Sequence, residues 1–109
     1  MSKKRQKKNY REIVALINEF SNARDWEKHH TPRNLAVSIA IEAAEILEHI
    51  QWHELNLEDR SKREQFGSEL ADVFIYLQLL AKSIDLDLLE AVQDKLILNE
   101  QRFPVTKSK

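Results

Sequence analysis

The chain has 109 residues, 42% of them apolar and 32% charged, which fits one domain and leaves no room for a second core. A single Gly and two Pro among many Leu, Ile, Ala, Glu and Lys favour helices over a turn-rich β architecture, and the lack of Cys excludes disulfides and thiolate metal sites. No apolar run approaches the roughly 18 residues of a membrane span, and the N-terminus lacks the apolar stretch of a secretory signal, so the expectation is a cytoplasmic protein without membrane association.

The formal charge of −1 conceals segregation. Lys3, Lys4, Arg5, Lys7, Lys8 and Arg11 precede the first acid, whereas Asn34 to Asp59 contains no Lys or Arg but holds Glu42, Glu45, Glu48, Glu54, Glu58 and Asp59. The basic run has no interleaved aromatics. It reads as a solvated tail rather than a nucleic-acid site. Residues 1–8 are expected to be a disordered basic tail, 9–105 the folded domain and 106–109 a short C-terminal tail.

Asn9 with Glu12 resembles a capping pair, and Ile13, Leu16, Ile17 and Phe20 follow at helical spacing, predicting a first helix to about Arg24. Thr31-Pro32 reads as an N-cap with proline in the first turn, and the apolar pattern from Leu35 predicts a second helix to Trp52. Ser61 with Glu64 predicts the cap of a third helix that runs to Ser83. Asp87 with Glu90 opens a fourth, ending before Pro104. Four helices with short connections predict an all-α, four-helix bundle. Its apolar faces are wide for so small a chain, which predicts a homo-oligomer.

Asn34, Ser38, Glu42, Glu45, His49 and Trp52 share a strip about 80° wide on the second helix. Gln65, Glu69, Asp72 and Tyr76 share one on the third. Each helix thus carries an acidic pair at i, i+3, and two facing helices would gather four carboxylates. Like charges that close stay ionised only beside a cation, and oxygen-only ligands select a hard ion such as Mg²⁺, whose shell polyphosphate oxygens can complete. Periodicity leaves a second reading open, in which the acids are merely the solvated faces of two amphipathic helices. A di-iron bundle would need Glu-x-x-His on paired helices. The single such spacing, Glu27 to His30, precedes Thr31-Pro32 outside any long apolar helix.

Lys95, Asn99 and Arg102 line one face of the fourth helix. They suit phosphate oxygens, and equally suit the negative end of a helix dipole. The sequence has no P-loop, Gly-rich cradle, cysteine nucleophile or Gly-x-Ser-x-Gly elbow, which leaves metal-activated water as the nucleophile of an enzyme. The competing reading is a noncatalytic helical interaction or nucleotide-sensing module.

Taken in order, Phe20-Ser-Asn-Ala-Arg-Asp-Trp26, His30-Thr-Pro-Arg-Asn34, Ile41-Glu-Ala-Ala-Glu45, Gln51-Trp52, Glu69-Leu-Ala-Asp-Val-Phe-Ile-Tyr76 and Arg102-Phe-Pro104 resemble the MazG-like all-α pyrophosphohydrolases, in particular the dCTP pyrophosphatase branch. The resemblance covers about Ile13 to Val105. It implies conversion of a (d)NTP, dCTP or a modified dCTP, to the monophosphate and pyrophosphate, as in nucleotide-pool sanitation. It also implies that Glu42, Glu45, Glu69 and Asp72 are catalytic and bind Mg²⁺, and that Lys95, Asn99 and Arg102 contact phosphates. Trp26 and Trp52 would enclose the base, with His30 and Tyr76 at further pocket positions, in a dimer or tetramer whose pockets form between chains.

Overall fold

Each long helix begins at a side chain that accepts a hydrogen bond from the backbone, which fixes where the element starts. The computed structural model describes residues 5–106; the expectations for residues 1–4 and 107–109 lie outside the described residues. Helix α1 (Tyr10–Ala23) starts at Asn9, whose Oδ1 accepts from the Glu12 amide at 2.9 Å while Glu12 Oε1 accepts from the Asn9 amide at 2.9 Å. The capping box read from the sequence is present. Helix α2 (Pro32–Glu48) starts at Thr31, whose hydroxyl accepts from the Asn34 amide at 3.1 Å. Helix α3 (Arg60–Ser83) and helix α4 (Leu88–Arg102) start at Asp59 and Asp87, each accepting from the third residue onward at 3.1 Å.

Two boundaries differ from the sequence reading. Helix α3 is capped by Asp59 rather than Ser61: Ser61 lies inside the helix accepting from Gln65, and Glu64 pairs with Arg60 at 3.1 Å. The aspartate two residues upstream supplies the cap first, leaving Ser61 no such role. Helix α2 ends at Glu48, with His49 as its C-cap, so Trp52 lies in the following bend. Periodicity alone gave no stop signal there, because the chain turns to return as α3 without Gly or Pro. A short 3₁₀ helix, Trp26–His29, joins α1 to α2 after a left-handed Asp25 at φ 56°. Aspartate tolerates that conformation better than most residues.

Helices α2 and α3 form the main antiparallel pair: His49 meets Phe66 and Glu69, while Glu42 meets Glu69 and Asp72. Helix α1 crosses α3, and Ile17, Leu35 and Leu79 are buried where the three helices meet, with Phe74, Tyr76 and Leu80 packed against them. Helix α4 touches this core through its first turns. Arg11 binds Asp87 at 2.8 Å, and Tyr10, Val14, Phe74, Leu89 and Val92 line a cavity at the junction. Its later half projects away, leaving Leu96, Ile97 and Leu98 58%, 60% and 51% exposed.

The described residues are therefore all-helical with no strand, but α4 does not close the single chain into a compact four-helix bundle. The radius of gyration is 17.4 Å, against roughly 13 Å for a compact domain of this length. The physical reason is that α4's apolar residues spread around its circumference, and the three-helix core covers only one side.

Candidate functional site

The i, i+3 spacing on α2 and α3 aims side chains across their seam. One carboxylate oxygen from each of Glu42, Glu69 and Asp72 lies within 4.8 Å of the others. All three residues are half-buried. Oε2 of Glu42 and Oε2 of Glu69 are shielded from solvent and have no hydrogen-bond partner. Burial pushes the Glu42 carboxyl above the usual carboxylate range, followed by the charge and hydrogen bond of Glu45 and the charges of Asp72 and Glu69. Glu45 therefore acts on Glu42 from one turn away, but it is not among the three that converge within 4.8 Å.

Leaving anionic oxygens buried and unpaired costs considerable free energy. An all-oxygen donor set with two such orphaned atoms fits a hard divalent cation: it offers hydrated Mg²⁺ a few carboxylates and room for further ligands. The acidic cluster is thus able to hold a metal ion. His49, on the same strip, places Nε2 3.6 Å from Glu69 Oε1 and its ring edge-on to Phe66 at 5.9 Å.

The aromatic candidates are split. Trp26 opens the 3₁₀ helix and lies edge-on to Phe20 at 5.5 Å and to His30 at 5.9 Å, at the rim of an apolar groove of about 410 Å³ between α1 and α3. His30 is half-buried and its pKa is lowered, by burial first and then by His29. Tyr76 is half-buried, packed on the core one turn beyond Asp72. Trp52 is 85% exposed, and among the described residues no ring contact joins it to the other three.

Lys95 and Arg102 are exposed and Asn99 half-buried on the projecting half of α4. Arg102 stacks on its neighbour Phe103 at 5.2 Å. Among the described residues, no hydrogen bond or ion pair brings these three to the carboxylates of the same chain. Asn34, on the polar strip of α2, is committed locally: its Nδ2 donates to the His29 carbonyl at 3.0 Å. Sequence reasoning missed the 3₁₀ helix and the Lys82 contacts that hold it. A lone cation after Leu79-Leu80-Ala81 was the available signal, and it looks like any helix-terminal lysine.

The MazG-like family profile matches residues 37–109. The dCTP pyrophosphatase 1 of Mus musculus is 38% identical over 103 residues, 90% of this chain and 61% of that protein. That of Homo sapiens is 40% identical over 98 residues, 85% and 58% respectively. The chain thus spans less than two-thirds of the length of these curated relatives. The crystal structure of a pyrophosphatase from Archaeoglobus fulgidus matches with a TM-score of 0.74 and 38% identity, covering 94% of this chain and 100% of that one. The profile spans the second acidic helix and most of the first, and the fold agreement extends over nearly the whole chain: this protein belongs to the MazG-like family.

Proposed function

We propose that this chain is a Mg²⁺-dependent nucleoside triphosphate pyrophosphohydrolase that converts dCTP or a modified dCTP to the monophosphate and pyrophosphate. The observation that carries the reading is the convergence of Glu42, Glu69 and Asp72, with two solvent-shielded carboxylate oxygens lacking partners. The relatives named dCTP pyrophosphatase 1 support the substrate. Glu42, Glu45, Glu69 and Asp72 hold the ion, whose contribution at such a site is charge neutralisation and polarisation of water and phosphoryl oxygens. Water adds to phosphorus and the α–β anhydride bond breaks, so pyrophosphate departs.

Lys95, Asn99 and Arg102 bind the triphosphate oxygens, with Arg able to make a bidentate contact. Trp26, His30, Trp52 and Tyr76 enclose the base. Phosphate-binding and carboxylate residues lie apart in one chain, which supports completion of the site by a second copy in a dimer or tetramer. Incubation with a panel of (d)NTPs and Mg²⁺, followed by separation of products, tests the reading. Equimolar dCMP and pyrophosphate, lost in Asp72→Asn, are expected. Release of orthophosphate instead would sink it, and no turnover of any nucleotide would sink it and leave a noncatalytic helical interaction module as the better account.

A further inference from the structure

The segment that carries Trp26 and His30 has little of its own to hold it. The 3₁₀ helix Trp26–His29 is a single short element with poor internal hydrogen-bond geometry, entered through a left-handed residue. Its far end is tied to α2 by the bond from Asn34 Nδ2 to the His29 carbonyl. Its near end is tied to α3 by Lys82, whose Nζ donates to Glu27 Oε1 at 2.7 Å and to Asn22 Oδ1 at 2.9 Å. Those two acceptors lie 55 and 60 positions away in sequence, on the 3₁₀ helix and on α1. The Lys82 side chain is only 32% exposed, and charge-assisted bonds of a partly desolvated ammonium are stronger than neutral ones.

Glu27 and Lys82 themselves help line a cavity of about 280 Å³, with Ser21, His30, Leu79 and Ser83. The Ser21 hydroxyl facing this region is buried and has no hydrogen-bond partner. The Lys82 bonds therefore act beside the contacts of Trp26 with Phe20 and His30 in placing the segment. Glu27 directly follows Trp26, and the Trp26 ring leans on Phe20 and His30. A shift of Glu27 moves the aromatic wall with it.

We propose that Lys82 is a positioning residue: by bridging Asn22 and Glu27 it holds the 26–30 segment so that Trp26 and His30 wall the base pocket, setting nucleotide affinity without touching nucleotide. The inference rests on the base-binding reading given above. It separates Lys82 from Lys95 and Arg102, which are assigned to the phosphates.

The test is calorimetric binding of the α,β-imido analogue of dCTP, with steady-state kinetics on dCTP, for Lys82→Gln, Glu27→Gln, their double variant, Lys82→Arg and Trp26→Ala. Lys82→Gln is expected to raise Kd and KM about tenfold, within the coupling range of contacting residues, while kcat stays within about twofold. Glu27→Gln should match it, the double variant should be no worse than either single one, and Lys82→Arg should recover most of the affinity. Mg²⁺ affinity without nucleotide should not change. An unchanged Kd in Lys82→Gln, beside a weakened Trp26→Ala, overturns the clasp while sparing the base pocket. An unchanged Kd in Trp26→Ala removes the pocket reading and the clasp with it. A fall in kcat at constant KM, additive single variants, or loss of circular-dichroism helicity in both Lys82→Gln and Glu27→Gln would also overturn the proposal.

Discussion

The Nε2 atom of His49 stands 3.6 Å from Oε1 of Glu69, across the seam between α2 and α3. The imidazole closes off one carboxylate oxygen, while Oε2 of the same group is buried without a partner. Neighbours that orient a ligating carboxylate typically change metal affinity by 10–100-fold when removed. The contact is longer than a good hydrogen bond, so His49→Ala should weaken Mg²⁺ or Mn²⁺ binding by about tenfold, the low end of that range. Titration calorimetry without nucleotide reads this directly. Equal affinities would mean that packing alone holds Glu69.

Glu42 makes the metal-free protein sensitive to pH in a definite direction. Its folded-state pKa is raised by burial and by Glu45, Asp72 and Glu69, so the folded state holds the proton more tightly than the unfolded chain. The resulting stabilisation is fully present below the ordinary glutamate pKa and is lost as pH rises through the raised folded value. Above that value folding carries the full repulsion of the cluster. Without added cation, Glu42→Gln should therefore melt several degrees above wild type at pH about 8 and close to it at pH about 4. A divalent cation should stabilise wild type at the higher pH and leave Glu42→Gln nearly unmoved. Thermal melts at both pH values decide it, and a variant less stable than wild type throughout would give Glu42 a structural role instead.

The local part of this architecture was legible in the sequence because caps and i, i+3 pairs involve neighbouring residues. Asn9 with Glu12, Thr31 with Pro32 and Asp87 with Glu90 mark real helix starts. The paired acids of α2 and α3 point to a shared centre, although only tertiary packing selects Glu42, Glu69 and Asp72 as the closest three. Trp52 was misplaced because nothing in its segment announces the end of α2 at Glu48. The direction of α4 was illegible for a different reason. Its amphipathic pattern states that apolar residues are covered, not which surface covers them.

Gly67 lies within α3, exposed and without a positive φ, and a Cβ built there meets nothing within 4 Å. No feature of the single chain requires glycine. Gly67→Ala should stabilise the protein by about 0.5–1 kcal/mol by reducing the conformational freedom of the unfolded state. Urea unfolding measures the change. A loss of stability would mark this part of α3 as a close contact in the assembled protein.

The last prediction concerns assembly. Among the described residues, only Ile17, Leu35, Leu79 and Ala81 are buried as apolar core, while Leu16, Phe20 and Leu70 remain 47%, 49% and 51% exposed. Ile13, Leu16, Phe20, Trp26, Phe74 and Ile75 line one continuous groove, and the exposed residues of α4 add a second apolar surface. A core that small scarcely offsets the conformational entropy of ordering the chain. Burial of these faces against a second copy supplies the missing apolar contact, and closed symmetry favours an even number of subunits. Because the driving force is apolar, light scattering at micromolar concentration should give the same oligomer at low and at molar salt, where surface ion pairs are screened. Phe20→Asp should shift the protein to monomer and lower its thermal stability together, since burying an unpaired carboxylate in the interface is strongly unfavourable. A wild-type chain that is monomeric and cooperatively folded under these conditions would overturn the prediction, because its open faces would then be stable in water without a partner.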